Sequence, residues 1–426
     1  MGLRNFGLAL VVSWLTLAVS GDSKTTAWAQ EGNRPREGGI PDLVAPLPAE
    51  TTTPTPDQVD AAAQSGQNLR LPPAPNNRRP APTSPVSNTR KTSRNSNQNN
   101  SAFSPRLARA APIMGDSFSP SLVIQDEFRL DGSGFPAGGG ASRSKIAENS
   151  SSLPMDRLIF NYNHFHNAID DTLTHSSNVD RFALGFEKTF RDEMMSIEVR
   201  MPFLANNDFG PVGMTSRNGS DVGNLSVTLK SVLTSDSDSL CAAGLTIDTP
   251  TSGDTILTGP LPLVFSNDAV HLSPFLGFLC TPQGGNIHQG FLQIDVPTNA
   301  NGLTDGINPP TELLEQTLLY VDYSFGKQLY NAGRSAQGSC DIRRVLGLAE
   351  LHYTTTLEDS DVALLGMNNQ VTSRGNRLDV VNLTFGLHTE FTNGTQLRLG
   401  TVAPITDGDD RFFDFEFQAQ LNVLLR

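Results

Sequence analysis

The residues in this chain that could do chemistry are charges set into runs of alternating polarity. Glu187, Glu198, Arg200, Asp295, Asp322, Glu350, Arg398, Asp414 and Glu416 each lie in such a run. Around Glu198 and Arg200, for example, Met195, Ile197, Val199, Met201 and Phe203 hold the opposite parity. Side chains in a strand point alternately to opposite faces, so these charges all emerge on one side of a sheet. Carboxylates and guanidiniums lining the inside of a closed sheet select ions and small solutes. Acids outnumber bases in this set, which predicts a preference for cations. The competing expectation is that the charges interlock as ion pairs and merely fill a closed lumen.

Other constellations are weaker. Cys241 and Cys280 open and close neighbouring strand-like segments at the same end, which makes them candidates for a disulfide and leaves Cys340 over. His164 and His166 share a face, with Asp170 and Asp171 following. A metal site needs three or four converging ligands, however, so none is expected. The acidic clusters 358–361 and 407–410 lack the spacing of a calcium loop and read as solvated charge. There is no Walker loop, no HExxH, no G-x-S-x-G and no dinucleotide fingerprint, so the chain is expected to be neither an enzyme nor a cofactor binder.

The elements that must position the charges are strands. From Arg157 onward, twelve segments of about ten residues have strand character, the length of a tilted strand crossing a hydrocarbon core. Connections after the second, fourth, sixth and tenth are short, whereas those after the third, fifth, seventh and ninth are long. A barrel in a bacterial outer membrane sorts its loops in this way, with short periplasmic turns and long external loops. The last segment, RFFDFEFQAQLNVLLR, places Phe413, Phe415, Phe417, Ala419, Leu421 and Val423 on one face and Asp414, Glu416, Gln418, Gln420 and Asn422 on the other. The fold class expected is therefore all-β, an antiparallel transmembrane barrel of about twelve strands over residues 157–426.

Residues 1–29 have the basic start, apolar run and Ala27-Trp28-Ala29 pattern of a cleaved signal peptide. Residues 30–120 are rich in Pro, Asn and Ser, a composition expected of a disordered arm. The arm is basic, with no Asp or Glu between Ala61 and Gly115, while acids dominate after Ser121. It is unsuited to nucleic acid and could reach cell-wall polymer. Residues 121–156, with their glycines, read as a linker or a periplasmic plug.

Stretches such as RFALGFEKTFRDEMMSIEVRMPF, LSPFLGFL, QGFLQIDVPTN, LLYVDYSFG and ELHYTTTLEDSD resemble outer-membrane β-barrel proteins of planctomycete-type bacteria. More distantly they resemble the phenol meta-pathway transporter-like barrels. The resemblance implies a barrel and transport, and identifies no substrate. The chain departs from the usual aromatic ending of such barrels, since it closes on Leu424-Leu425-Arg426. The reading that unites these features is a narrow channel or transporter for small solutes in the cell outer membrane. Its partners would be membrane lipid and the barrel assembly machinery. The alternatives are a non-conducting barrel that anchors the envelope and an exported soluble β-sandwich binding protein.

Overall fold

The computed structural model describes residues 102–117, 121–125, 135–136, 142–170, 176–205, 215–218, 222–258, 262–332, 341–365, 369–373 and 377–425. The signal-peptide reading of 1–29, the arm reading of 30–101, Asp171 and Cys340 all fall outside them.

Twelve antiparallel strands form one closed barrel. They are β1 (Arg157–Asp170), β2 (Ser176–Phe190), β3 (Met195–Ala205), β4 (Leu225–Ser235), β5 (Ser239–Thr249) and β6 (His271–Cys280). The second half comprises β7 (Asn286–Pro297), β8 (Thr317–Asn331), β9 (Ile342–Glu358), β10 (Asp379–Phe391), β11 (Thr395–Pro404) and β12 (Phe415–Leu424). Each strand pairs with its neighbours in sequence, and β12 returns to β1 through pairs running from Phe415↔His166 to Leu424↔Arg157. A single closed sheet has no edge to cover. It also excludes the β-sandwich, whose two packed sheets are absent from the described residues.

Alternation along each strand sorts the residues between the two faces. Leu158, Leu184, Leu276, Leu351 and Phe385 point outward and are 44–56% exposed, a large apolar area on the outside of the barrel. Arg157, Asn161, Gln293, Thr384, Arg398 and Gln420 point inward and are buried. The ambiguous ninth segment resolves with Glu350 and His352 inside, as its polar residues require.

β12 begins at Phe415 and not at Arg411. Phe413 therefore leaves the outward row and packs with Phe412 inside the long-loop end, where the Phe413 ring meets that of Phe165 edge-on at 5.4 Å. Above that end the long connections, joined by two strands that precede β1, add two small sheets. One joins Thr215–Asn218, Thr255–Thr258, Leu263–Phe265, Asn301–Thr304 and Thr311–Leu313; the other joins Ser121–Gln125, Phe135–Pro136, Ala363–Leu365 and Asn369–Ser373.

The proposed cysteine bridge is corrected by the register. Cys241 lies opposite Phe278 and Cys280 opposite Ser239, so the two are diagonal neighbours rather than a facing pair, and no disulfide joins them.

Candidate functional site

The lumen is occupied by the chain itself. Residues 102–117 enter from the short-turn end, where Ser104 Oγ donates to Ser237 O at 2.6 Å. Residues 142–156 return in the opposite direction and lead directly into β1. The two segments are bridged where Ile113 N donates to Ser150 O at 2.8 Å and Asn149 N to Met114 O at 3.1 Å. Between them, at the long-loop end, Ser121–Gln125 pairs with Asn369–Ser373 of the small sheet.

The resulting hairpin touches inward residues of the barrel on almost every side, so it lies within the wall and not against it. Residues 102–117, which composition alone joins to the basic arm, and 142–156, part of the linker or plug segment, are thus both luminal. Apolar packing anchors the short-turn end, where Leu107, Met114 and Leu153 cluster with Leu240, Leu279, Ile287, Leu346 and Leu348. Gly386 and Gly400 make room for Met114: a Cβ on either would come within 2.3 and 2.6 Å of its side chain.

The polar middle of the lumen is segregated by charge. On β5, β7, β8 and β9 the inward residues include Asp248, Asp295, Asp322 and Glu350. The hairpin meets this acidic side with cations and backbone N–H groups. Arg143 pairs with Asp295 at 3.3 Å and with Glu315 at 2.7 Å. Lys145 bridges Asp322, at 3.1 Å, and the hairpin's own Asp116. The Glu350 carboxylate accepts from Met114 N at 3.0 and 3.1 Å, from Gly115 N at 2.9 Å and from Ser324 Oγ at 2.8 Å.

On β1, β2, β3, β4 and β11 the inward residues include Arg157, Arg181, Arg200, Lys230 and Arg398. Here the hairpin offers acceptors. Arg181 donates to the Glu148 carboxylate at 2.6 Å, Arg157 to Asn149 O at 2.9 Å, and Arg200 to Glu148 O and Asn149 O. Within the wall, Glu187 and Glu198 hold Arg157 at 2.8 and 2.9 Å, and Glu198 also pairs with Arg200 at 2.6 Å.

Eight of the nine residues expected to face the lumen do so: Glu187, Glu198, Arg200, Asp295, Asp322, Glu350, Arg398 and Glu416 are all buried on the inside. Glu416 meets only amides, accepting from Asn163 at 2.7 Å and Gln418 at 2.9 Å. Asp414 is the exception. It precedes β12, and its half-exposed carboxylate pairs with Arg411 at 2.6 Å.

Sequence reasoning missed Arg157, Arg181 and Lys230, although Arg181 shares the parity of Glu187 and was within reach of the same pattern. It also missed Arg143, Lys145 and Glu148, whose only signal is a cluster of charges after a glycine-rich run. Asp116, Asp322 and His352 bring ligating atoms within 4.8 Å of one another, but the Lys145 ammonium already bridges the two carboxylates. His164 and His166 point outward, the first to Asp180 at 2.8 Å and the second with its ring tilted against that of Phe415 at 5.0 Å.

No protein-family model and no curated protein sequence matches the chain. Among solved structures, it is similar to an outer membrane channel from Pseudomonas putida F1. The TM-score is 0.42 and the identity 12%, over 64% of this chain and 96% of that one. It is similar to the NanC porin at a TM-score of 0.36 and 6% identity, over 63% and 99% of the two chains. A deletion mutant of the monoaromatic hydrocarbon channel TodX follows at 0.31 and 8%, over 64% and 89%. The comparisons give no support for the planctomycete-type resemblance.

Proposed function

We propose that this chain is an outer-membrane barrel that passes small solutes when its luminal hairpin shifts, and that the conformation described is the closed one. The observation that carries this reading is where the wall spends its charges. Asp295, Asp322 and Glu350 on one side, and Arg181, Arg200 and Arg398 on the other, bond to the hairpin rather than to one another across the lumen. A lumen that only had to be filled is served as well by apolar side chains, because burying ion pairs gains little stability over well-packed hydrophobes. Charges matched to a removable insert instead leave a charged path once the insert moves. The apolar outer face supports a position in lipid, and the parity of loop lengths supports the orientation of an outer-membrane barrel.

The test is conductance of detergent-refolded protein in a planar bilayer, comparing the full chain with a form lacking residues 30–155. The full chain should show rare, small steps, and the truncated barrel steps at least several-fold larger. A silent bilayer from a truncated barrel that still shows a heat-modifiable band on gels would overturn the channel reading.

The second reading is a non-conducting barrel that anchors the envelope, with the basic arm reaching cell-wall polymer. It is favoured by the occupancy of the lumen, whose plug residues Leu107, Ile113, Met114, Ala147 and Asn149 are completely buried. Loss of the protein from the envelope on deletion of the arm, without any change in conductance, would support it.

A further inference from the structure

We propose that the side chain of Asn149 stands in for a ligand, and that the wall around it is a binding site for the carboxylate of a small organic anion. This deepens the channel reading and rests on it for the role in passage, though not for the binding itself.

Asn149 is completely buried, with its backbone in the left-handed region at φ 46°, and its amide is held from several sides. Its Oδ1 accepts from Arg157 Nη1 at 3.2 Å and from Arg398 Nη2. Its amide faces that of Asn422 at 3.0 and 3.1 Å, and its Nδ2 donates to Asn161 Oδ1 at 2.5 Å. Two guanidiniums and two amides thus converge on one planar, three-atom group, which is the shape of a carboxylate. Arginine's fork suits that shape, and the Asn422 amide offers N–H instead of O after a simple rotation, while Asn161 Nδ2 is held by the Glu148 carboxylate at 3.0 Å.

Around the amide the cations outnumber the anions, and the gap is at Arg398. Arg398 is completely buried, yet no carboxylate among the described residues pairs with it. Its other contacts are neutral as well, the Pro112 carbonyl at 3.2 Å and the Asn422 amide oxygen at 2.7 Å once that amide is turned, and its Nε has no partner. His388 lies opposite Arg398 in register, completely buried, with both ring nitrogens unpartnered. Arg157, Arg181, Arg200 and Lys230 pair with three local acids, Glu148, Glu187 and Glu198, while the acid that acts on Arg398 is Glu350, which does not touch it. Five positive groups against four negative ones leave an excess of one. A buried guanidinium bound only by neutral carbonyls is poorly compensated, and a carboxylate in place of the amide compensates it.

On the acidic side Arg143, Lys145 and two backbone N–H groups meet Asp295, Asp322 and Glu350, and the oxygens left over there, Asp322 Oδ2 and Asp248 Oδ1, would draw a donor and not an anion. Counting inward charges suggests cations; following their partners points to an anion at this position. Passage and closure then compete for the same groups, because an arriving carboxylate takes the donors that hold the hairpin at Asn149.

The test uses the full chain refolded in detergent. Asn149→Gly removes the amide while tolerating the positive φ, and leaves a hole the size of acetamide. Acetate is the probe and acetamide the neutral control, each titrated calorimetrically. Acetate should bind Asn149→Gly at least tenfold tighter than it binds the native chain, and at least tenfold tighter than acetamide binds the same variant. Adding Arg398→Gln should abolish that gain. No acetate binding to a folded Asn149→Gly, or equal binding with and without Arg398, overturns the proposal.

Asn149→Asp provides a check that requires no hole: it should raise the temperature at which the heat-modifiable band is lost, and a lower temperature counts against the site. Acetate binding together with a silent truncated barrel would sink the channel reading alone. Conduction without acetate binding would sink the carboxylate site alone.

Discussion

At the scale of single residues, what decides each charge's role is its partner. Arg143 is buried between Asp295 and Glu315 and also donates to Gln316 O at 2.9 Å. Arg143→Ala strands two buried carboxylates, a loss of about 3–5 kcal/mol. The melting midpoint of the refolded protein should fall accordingly, with the loss of order concentrated in the hairpin; an unchanged midpoint would remove Arg143 from the set that holds it. Asp305, in the long connection between β7 and β8, shows the same dependence on partners in water. Its carboxyl is held below the usual carboxylate range by the backbone N–H of Asn308 at 2.7 Å, helped by the Asn308 side chain at 2.6 Å and the Ile307 N–H at 2.9 Å. A group whose folded value is lowered stabilises fully above its unfolded value and loses that contribution as pH falls through the folded one. Hydrogen exchange at Ile307 and Asn308 should therefore quicken in acid below the ordinary Asp range, and Asp305→Asn should show much of that faster exchange already at neutral pH.

At the scale of elements, strand parity carried most of what could be read in advance. Glu198, Arg200, Asp322 and Glu350 face inward because each sits in an unbroken alternation, with an apolar face outside the barrel and a polar one inside. Asp414 broke the pattern because Phe412 and Phe413 bury themselves at the long-loop end, a packing choice that alternation does not encode. The cysteine pair failed for a related reason. Alternation puts both on one face, but only the register, set by the hairpin turns, says which residues are opposite. The luminal segments were the least legible. Their sequence is neither periodic nor apolar throughout, since they are shaped to a wall assembled from distant strands, and only scattered apolar residues such as Leu107, Ile113, Met114, Ile146 and Leu153 hint at burial. That fit is testable on the wall. Gly400→Val places atoms where the Met114 side chain lies, 2.6 Å from a Cβ, and should push the hairpin off its seat while leaving the outward row intact. Protease cleavage near Met114 should rise several-fold with the barrel still heat-modifiable, whereas unchanged protection would mean the wall can yield instead.

At the scale of the whole molecule, twelve strands with sequential pairing and loops sorted by length are a global pattern, and that is why the barrel could be read without any single strong motif. Composition misled where it averaged over too long a stretch: residues 102–117 share the polar character of what precedes them, yet they include the completely buried Leu107, Ile113 and Met114. The same global view changes the meaning of the inward charges. Seen strand by strand they line a path; seen with the hairpin in place, most belong to a two-sided clasp with acids on one wall and bases on the other.

The hairpin's upper strand, Ser121–Gln125, is laced to Asn369–Ser373 outside the long-loop end, while its two legs leave through the short-turn end. The segment is fastened beyond the lumen at one end, its tip, and continuous with the wall at the other. Once β12 has met β1, it cannot slip out sideways through the wall, and it cannot be drawn back down the lumen without first unlacing that tip. Sealing the seam and threading the loop are therefore coupled in time: the ring must close around a strand pair already inside, or the tip must pass through unpaired and knit itself to the far side afterwards.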